Sequence, residues 1–518
     1  MLILETVVLL MACAVALGWL ARRLDIVYPI MLVLGGVALG FIPQLPQLRF
    51  DPDLILVVVL PPILYQAAIF TSWRDFRANL RPISLLAVGL VLATTVAVAA
   101  TAKWLVPELP WAAAFVLGAI VSPPDAAAAT SIIGRLKLPR RMIVILEGES
   151  LVNDATGLVL YKFAVAAVVT GTFSLADAGA QFVLVALGGI AIGVALGWFF
   201  VAIHNQLHDA LIETLLSVIL PYSAYLIAEQ LQVSGVLAVV AAGLVRGRHA
   251  PEVFSAEARL LWYSLWSLIA FVMNTLVFIL IGLQLNGIVH RVAGFHAFEH
   301  GLAIALVAIL VRMLWMYPGA YVPRMLSRRI RESEPMPPLP AVTLMGWCGM
   351  RGIVSLAAAL ALPEFTDALA PFPRRDLLIF LAFAVIVITL VAQGLTIKPL
   401  IRILGIGADW TTLDEERMAR SALIEAALAE ITRIEREGAT PREVIEHVRA
   451  DYEARRAHAH ISSLVTIHGD EPLRRTRLAA TRAERVRLLE LWRNDAIGDH
   501  VLHQIEREID LDQARLAR

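Results

Sequence analysis

Three polar clusters interrupt otherwise apolar sequence: two carry carboxylates able to hold a small cation or a proton, and the third carries an arginine. The stretch Ala119 to Thr130 reads AIVSPPDAAAAT, which sets Ser122, Pro123, Pro124 and Asp125 in the middle of an apolar run. The stretch LEGESLVNDATG brings Glu149, Ser150, Asn153 and Asp154 together. In GWCGMRGIVS, Arg351 is surrounded by Gly346, Gly349 and Gly352. A charge at mid-bilayer costs at least about 2.5–3.5 kcal/mol on insertion scales, so each of these groups calls for a partner or a task. On a helix, residues four apart share a face, so Ser150 and Asp154 point one way. Glu149 and Asn153 point another, about 100° round the axis. Asp154 and Ser150 are therefore expected to offer oxygens to a hard monovalent cation, which prefers such ligands. Glu149 and Asn153 are expected to brace that site, with Glu149 a candidate partner for Arg351. No His/Cys cluster with metal-ligand spacing occurs, so neither a resident metal nor another cofactor is expected.

These residues need a membrane to sit in, and composition supplies it. Hydrophobic residues make up 58% of the 518 positions and charged residues 17%, against about 25% charged in a soluble domain. Runs long enough to cross a bilayer as helices fall near 2–20, 27–43, 54–70, 82–105, 110–133, 142–169, 178–203, 211–230, 233–246, 263–289, 301–323, 340–362 and 376–401. That makes about thirteen spans. With the N-terminus outside, the inner loops carry sixteen basic residues (Arg22, Arg81, Arg141 and Arg324 among them) and the outer loops five. Basic residues stay on the side from which insertion occurs, so the odd count and the orientation agree. The N-terminus lacks a basic region ahead of its apolar run and is followed by Arg22 and Arg23, so a retained first span is expected rather than a signal peptide. Cys13 and Cys348 both lie in apolar runs and imply no disulfide framework.

Two of the polar clusters mark breaks. Pro123 and Pro124 remove two backbone donors inside span five, and three glycines loosen span twelve around Arg351. If span seven is a linker, spans one to six and eight to thirteen form two sets, each broken in its fifth member. Paired interruptions of this kind are the sequence sign of an inverted-repeat transporter with its site where the broken helices cross. Asp125 would offset the partly positive half-helix N-termini there, and Arg351 the partly negative C-termini.

At these residues the sequence resembles the monovalent cation:proton antiporter-1 family, the sodium/proton exchangers shared by bacteria and eukaryotes. The likeness rests on LPPILYQAA at Leu60–Ala68, SPPDAAA at Ser122–Ala128, GESLVNDATGLVLY at Gly148–Tyr161, and LIETLLSVILPYSAYLIAE at Leu211–Glu229. It continues in SGVLAVVAAGLVRG at Ser234–Gly247 and GMRGIVSLA at Gly349–Ala357. The resemblance implies a thirteen-helix homodimer in the cell inner membrane, with a core domain moving like an elevator against a dimerisation domain. It places the ion-binding carboxylate on Asp154 and the unwound-helix acid on Asp125. The serine ligand falls on Ser150, the preceding Asn on Asn153, and a Glu–Arg pair on Glu149 and Arg351. Members with Asn-Asp here resemble electroneutral one-for-one exchangers. Three positions depart from the family pattern: Ala126 follows the unwound Asp where Pro is usual, Pro124 replaces a Thr common in prokaryotic relatives, and Gln66 stands where many members carry an acid. Arg312, in LVRMLW, also looks family-like, as part of an ion pair whose partner the sequence does not name.

The chain is thus expected to be an all-α polytopic membrane protein, with residues 1–408 forming the transport body and 409–518 a cytoplasmic helical tail. Forty of the 88 charged residues lie in that tail. Thr412 with Glu415, and Thr440 with Pro441 and Glu443, are capping starts for helices ending near Gly438 and residue 460. A third helical region follows Pro472, and the tail is read as regulatory or as a stabilising contact. His458, His460 and His468 are read as solvated. The expected transported species are protons and Na+, with Li+ or K+ as alternatives, at a site formed by Asp154, Asp125 and Ser150. A potassium/proton or broad-specificity antiporter is the nearest alternative, and a gated cation channel a more distant one. No enzyme is expected, because no His in a core span is placed to act as base for Ser150. No nucleic-acid signature is present.

Overall fold

A computed structural model describes residues 2–24, 28–41, 55–125, 138–172, 174–207, 209–291, 295–334, 336–367, 370–406, 411–438, 440–457 and 471–517, and among these it is helical throughout. An isolated bridge joins Phe365 and Pro371. Helical residues occur in each of the thirteen apolar runs. The first helices are α1 (Leu2–Arg23), α2 (Tyr28–Gly40), α3 (Leu60–Phe70), α4 (Trp73–Ala78), α5 (Leu80–Leu105) and α6 (Trp111–Val121). The chain continues through α7 (Arg140–Thr170), α8 (Leu175–His204), α9 (Ala210–Gln230), α10 (Gly235–Val253) and α11 (Ala256–Arg291). The body ends with α12 (Phe295–Leu326), α13 (Arg328–Ser333), α14 (Leu339–Trp347), α15 (Ile353–Leu360) and α16 (Arg375–Leu404). Seven of the described helices are long and apolar enough to cross a membrane, α5, α7 and α16 among them.

The expected breaks are present. Helix α6 stops at Val121, where Pro123 and Pro124 can no longer donate to the preceding turn. Span twelve is two short helices, α14 and α15, separated by Cys348 to Gly352. By contrast α7 runs unbroken for 31 residues and ends on Gly171, whose φ of 73° is the left-handed value a helix C-cap favours. Helix α6 packs along α5 and α7, while α12 packs along α16 and α14; α15 lies against α6 and α16. Helix α6 and the two halves of span twelve are thereby held by long, continuous neighbours.

The chain divides into two compact units. The first comprises Met1–Phe200, Val218–Gly247 and Trp266–Ala408; the second gathers Val201–Ser217, Arg248–Leu265 and Asp409–Arg518. The second unit is built on α17 (Thr411–Glu437), α18 (Arg442–Ala457), α19 (Glu471–Arg493) and α20 (Asp499–Ala517). The first two begin within two residues of Thr412 and Thr440, with Gly438 at φ 68° closing α17. The region after Pro472 is two helices rather than one, parted at Asn494–Gly498, where Asp495 takes a φ of 57°. His458, His460 and His468 lie outside the described residues. Leu423, Leu488, Leu491, Val501, Leu502 and Ile505 interlock α17, α19 and α20 in one apolar cluster.

Charge inside this unit is used very unevenly. Pairs such as Arg433–Glu437 and Arg442–Glu446 lie on the exposed surface at i,i+4 spacing, and pairs of that kind contribute little. Arg259 is different, being fully buried. Its Nε and Nη2 donate to the two Asp510 carboxylate oxygens at 2.7 and 2.6 Å, and its Nη1 donates to the Phe254 carbonyl at 2.7 Å. Glu506, one turn before Asp510, stands 3.3 Å from the same guanidinium. Burial pushes the Glu506 carboxyl up to about 7 despite Arg259. Burial likewise pushes Glu484, which accepts a 3.1 Å hydrogen bond from the Tyr452 hydroxyl, up to about 7.

Removing Arg259 leaves Asp510 and Glu506 buried with only the more distant Arg485, 3.5 and 3.8 Å away; breaking a buried pair typically costs roughly 3–5 kcal/mol. Arg259→Ala is expected to abolish amide hydrogen-exchange protection across Asp499–Ala517 in the full-length protein; unchanged protection there would remove this role. The raised carboxyls also set a pH dependence. Folded Glu484 keeps a proton that the unfolded chain loses above its ordinary value of 4.5. Its contribution is therefore greatest below that pH and is lost as pH rises toward 7, by about 1.4 kcal/mol for each pH step across that interval. Protection in α18 and α19 is expected to fall from pH 5 to pH 8, and Glu484→Gln is expected to flatten that fall.

Candidate functional site

The site begins with a backbone problem. Broken helices leave amide and carbonyl groups without helical partners, and lipid provides none. The two unwound segments answer each other: the Asp125 amide donates to the Met350 carbonyl at 2.6 Å. Arg351 handles the carbonyls. Its Nε donates to the Val121 carbonyl, the last of α6, at 2.9 Å, and its Nη1 donates to the Gly349 carbonyl. Its own amide is received by the Thr389 hydroxyl of α16 at 3.2 Å. The guanidinium thus sits on the negative ends of both interrupted helices, the role its charge suggests.

Close approach explains the glycines. A Cβ on Gly352 would fall 1.7 Å from Asp125 Oδ2, and one on Gly349 would fall 2.2 Å from Arg312 Cδ. Any larger residue at position 352 would displace the Asp125 carboxylate. Ser122, 1% exposed, donates its hydroxyl to the Ala119 carbonyl at 3.2 Å and closes the last turn of α6.

Helix α7 presents its two faces as the spacing requires. Ser150 and Asp154 line a cavity of about 220 Å³ together with Asp125, Pro123, Gly352 and Gln66. Glu149 and Asn153 point away from it and are buried at 1% and 0% exposure. Asn153 Nδ2 donates to the Pro124 carbonyl at 2.9 Å, tying α7 to the break in span five.

Glu149 has a different arginine from the one expected. Its two oxygens accept from Arg312 Nη1 and Nη2 at 2.5 and 2.8 Å in a bidentate pair. Arg312 Nη2 also donates to the Met345 carbonyl at 3.3 Å, at the end of α14. The expected Glu149–Arg351 pair is thereby replaced: Arg312 of α12 takes the carboxylate, and Arg351 is spent on backbone carbonyls. The reason is geometric, since a forked guanidinium matches a carboxylate best when both nitrogens reach it, and α12 lies where it can do so.

Glu147, Asn274 and Ser355 are polar cavity residues that were not singled out from the sequence. Glu147 lines the cavity with Asp154, and its spacing of three to Ser150 and seven to Asp154 is a signal that sequence carried. Asn274, on α11, has no such local signal. Among the described residues no group of three or more His, Cys, Asp or Glu could hold a metal ion. The cavity instead offers carboxylate, hydroxyl and amide oxygens, the donors of a hard cation that is bound and released.

Comparisons with known proteins bear on the family and the fold. The family described as sodium/hydrogen exchanger, transmembrane, matches residues 8–403. A protein of Mycobacterium tuberculosis named an uncharacterized Na+/H+ exchanger is 33% identical over 99% of this chain and 96% of its own length. A sodium, potassium, lithium and rubidium/H+ antiporter of Bacillus pumilus is 37% identical over 70% of this chain and 56% of its own length. The solved structure of a sodium proton antiporter from Methanocaldococcus jannaschii superposes with a TM-score of 0.62 at 17% identity, over 78% of this chain and all of that one, and so shares its fold. With the match running through every element that builds the cavity, the chain belongs to the family of transmembrane sodium/hydrogen exchangers.

Proposed function

We propose that the protein exchanges one monovalent cation for one proton across the cell inner membrane, with Asp154 as the group both compete for. The observation that carries this reading is the shared cavity. Asp154, Asp125 and Ser150 line it, at the point where two broken helices meet and hydrogen-bond. In this reading the three residues ligate the cation. Asn153 holds α7 to the Pro124 carbonyl, and the Glu149–Arg312 pair keeps the core rigid.

The mechanism follows from electrostatics. A carboxylate out of water is stable when a proton or a cation neutralises it and costly when bare. Either loaded form crosses the membrane easily, and the empty charged form crosses poorly, so the two fluxes are coupled. With a lone Asp after Asn153, one charge is exchanged for one, and membrane potential drops out of the driving force. Alternating access is an elevator movement of the core that carries α6, α7, α14 and α15, within thirteen spans arranged as two inverted repeats. The working unit is a homodimer with the N-terminus outside, and residues 409–518 form a cytoplasmic module that serves as a regulatory domain or as a stabilising contact. The sixteen-to-five bias of basic residues supports that orientation.

A broader cation choice has its own support. Relatives from Bacillus pumilus and Bacillus subtilis are named sodium, potassium, lithium and rubidium/H+ antiporters. Gln66 lines the cavity where an acid would bind a small ion more tightly. A panel of Na+, Li+, K+ and Rb+ in proteoliposomes separates this from sodium selectivity.

Asp154→Asn proteoliposomes are expected to lose cation-dependent proton flux altogether, and wild-type flux in that variant would overturn the assignment. The wild-type steady-state gradient is expected to be unmoved by an imposed potential; a shift with potential would exclude one-for-one exchange. Glu149→Gln leaves Arg312 buried without its carboxylate, at a typical cost of roughly 3–5 kcal/mol. It is expected to lower the melting temperature of the detergent-solubilised protein without changing cation preference.

A further inference from the structure

At the end of α5, α7 and α12 that carries basic loops, three arginines converge on one acid. Arg81 Nε and Nη2 donate to the two Glu334 oxygens at 3.0 and 2.7 Å. Arg141 Nη2 and Arg324 Nη2 reach the same Glu334 Oε2 at 3.0 and 2.7 Å. Arg141 is further fixed through Nε to Asn79 Oδ1 at 2.9 Å. Burial alone would push the Glu334 carboxyl up, yet the hydrogen bonds and charges of Arg81, Arg324 and Arg141 hold it below its usual range. One carboxylate cannot neutralise three guanidiniums, so the cluster keeps two surplus positive charges. Arg324 is only 4% exposed, and its Nε and Arg81 Nη1 are buried without a hydrogen-bond partner. Buried donors of this kind call for a ligand the protein itself does not supply.

A cavity adjoins the cluster. It has a volume of about 220 Å³, with Arg141 and Arg324 among its lining residues. The rest of the wall is almost wholly apolar and includes Met142, Met316, Met336 and Met345. Methionines make a deformable lining that suits a chain without fixed shape. Met336 is 56% exposed, so an edge of the lining reaches the surface. Cationic groups at one wall and hydrocarbon elsewhere are the complement of an anionic amphiphile.

We propose that this is a binding site for an anionic phospholipid, its phosphate held by Arg141 and Arg324 and its acyl chain in the methionine-lined cavity. A free phosphate would satisfy the arginines and leave the apolar wall uncovered, so the lipid is the better match. The bound headgroup bridges α7, which carries Asp154, and α12, which carries Arg312. The site is therefore placed to make the packing of those helices depend on the lipid around them.

The test uses full-length protein in nanodiscs of phosphatidylcholine alone, and of phosphatidylcholine with phosphatidylglycerol. Phosphatidylglycerol is expected to raise the thermal midpoint by several degrees and to remain as a bound adduct in native mass spectrometry. Arg141→Gln, at a partly exposed position, and Met336→Glu, at the surface edge of the cavity, are each expected to remove at least half of that rise and the adduct. Inorganic phosphate added to phosphatidylcholine discs is expected to leave the midpoint unmoved. An equal rise with inorganic phosphate alone would make this an aqueous anion site. An undiminished phosphatidylglycerol effect in both variants would place the lipid elsewhere. No effect in the wild type would leave the arginines as a structural latch on Glu334. None of these results bears on Asp154, whose role is read independently from exchange.

Discussion

Backbone that leaves the helix inside a membrane must find its hydrogen-bond partners within the protein, and that constraint organises the whole core. The bond from the Asp125 amide to the Met350 carbonyl closes one unwound segment on the other. Arg351 then takes the carbonyls of Val121 and Gly349, and Asn153 takes that of Pro124. The bonds to Met350, Val121 and Pro124 join segments far apart in sequence, so the crossing is one joint rather than two adjacent defects. Gly352 is required because the joint leaves no room for a Cβ beside Asp125.

Within that joint the charges divide into two kinds. Glu149 and Arg312 satisfy each other in a buried fork that also reaches the end of α14. Such a pair holds geometry and has no spare capacity for an ion. Asp154 and Asp125 instead open on a cavity with hydroxyl and amide oxygens around them. The difference arises on a single helix, because Glu149 and Asp154 are five residues apart and so project in different directions. One face of α7 is scaffold and the other lines the cavity.

The second unit applies the same physics to its own buried groups. Its exposed i,i+4 pairs are weakly stabilising decoration, whereas Arg259 is sealed among Asp510, Glu506 and the Phe254 carbonyl. A buried charge network specifies position because misplacement strands a charge. Glu484 and Glu506, pushed up to about 7 by burial, add a dependence on pH near neutrality to that specification.

Much of this was legible in the chain. Pro123 and Pro124 in succession remove two amide donors from the last turn of α6, whereas the isolated Pro221 and Pro399 are carried inside continuous helices. The i,i+4 relation of Ser150 and Asp154 determines that they share a face wherever α7 is placed. Capping residues located α17 and α18 to within a few positions, because caps act through the nearest turn. What lay beyond reach was every choice between distant candidates. Nothing local tells Glu149 whether to take Arg312 or Arg351, since both are arginines in apolar runs about 160 and 200 residues away. That choice belongs to the packing of α12 against α14 and α16. Likewise Asn274 joins the cavity only because α11 is brought beside it, and the stretch after Pro472 divides in two only where Asp495 turns. Sequence determined which groups must be satisfied; tertiary structure decided by which partners, because partner choice depends on distance in space and not along the chain.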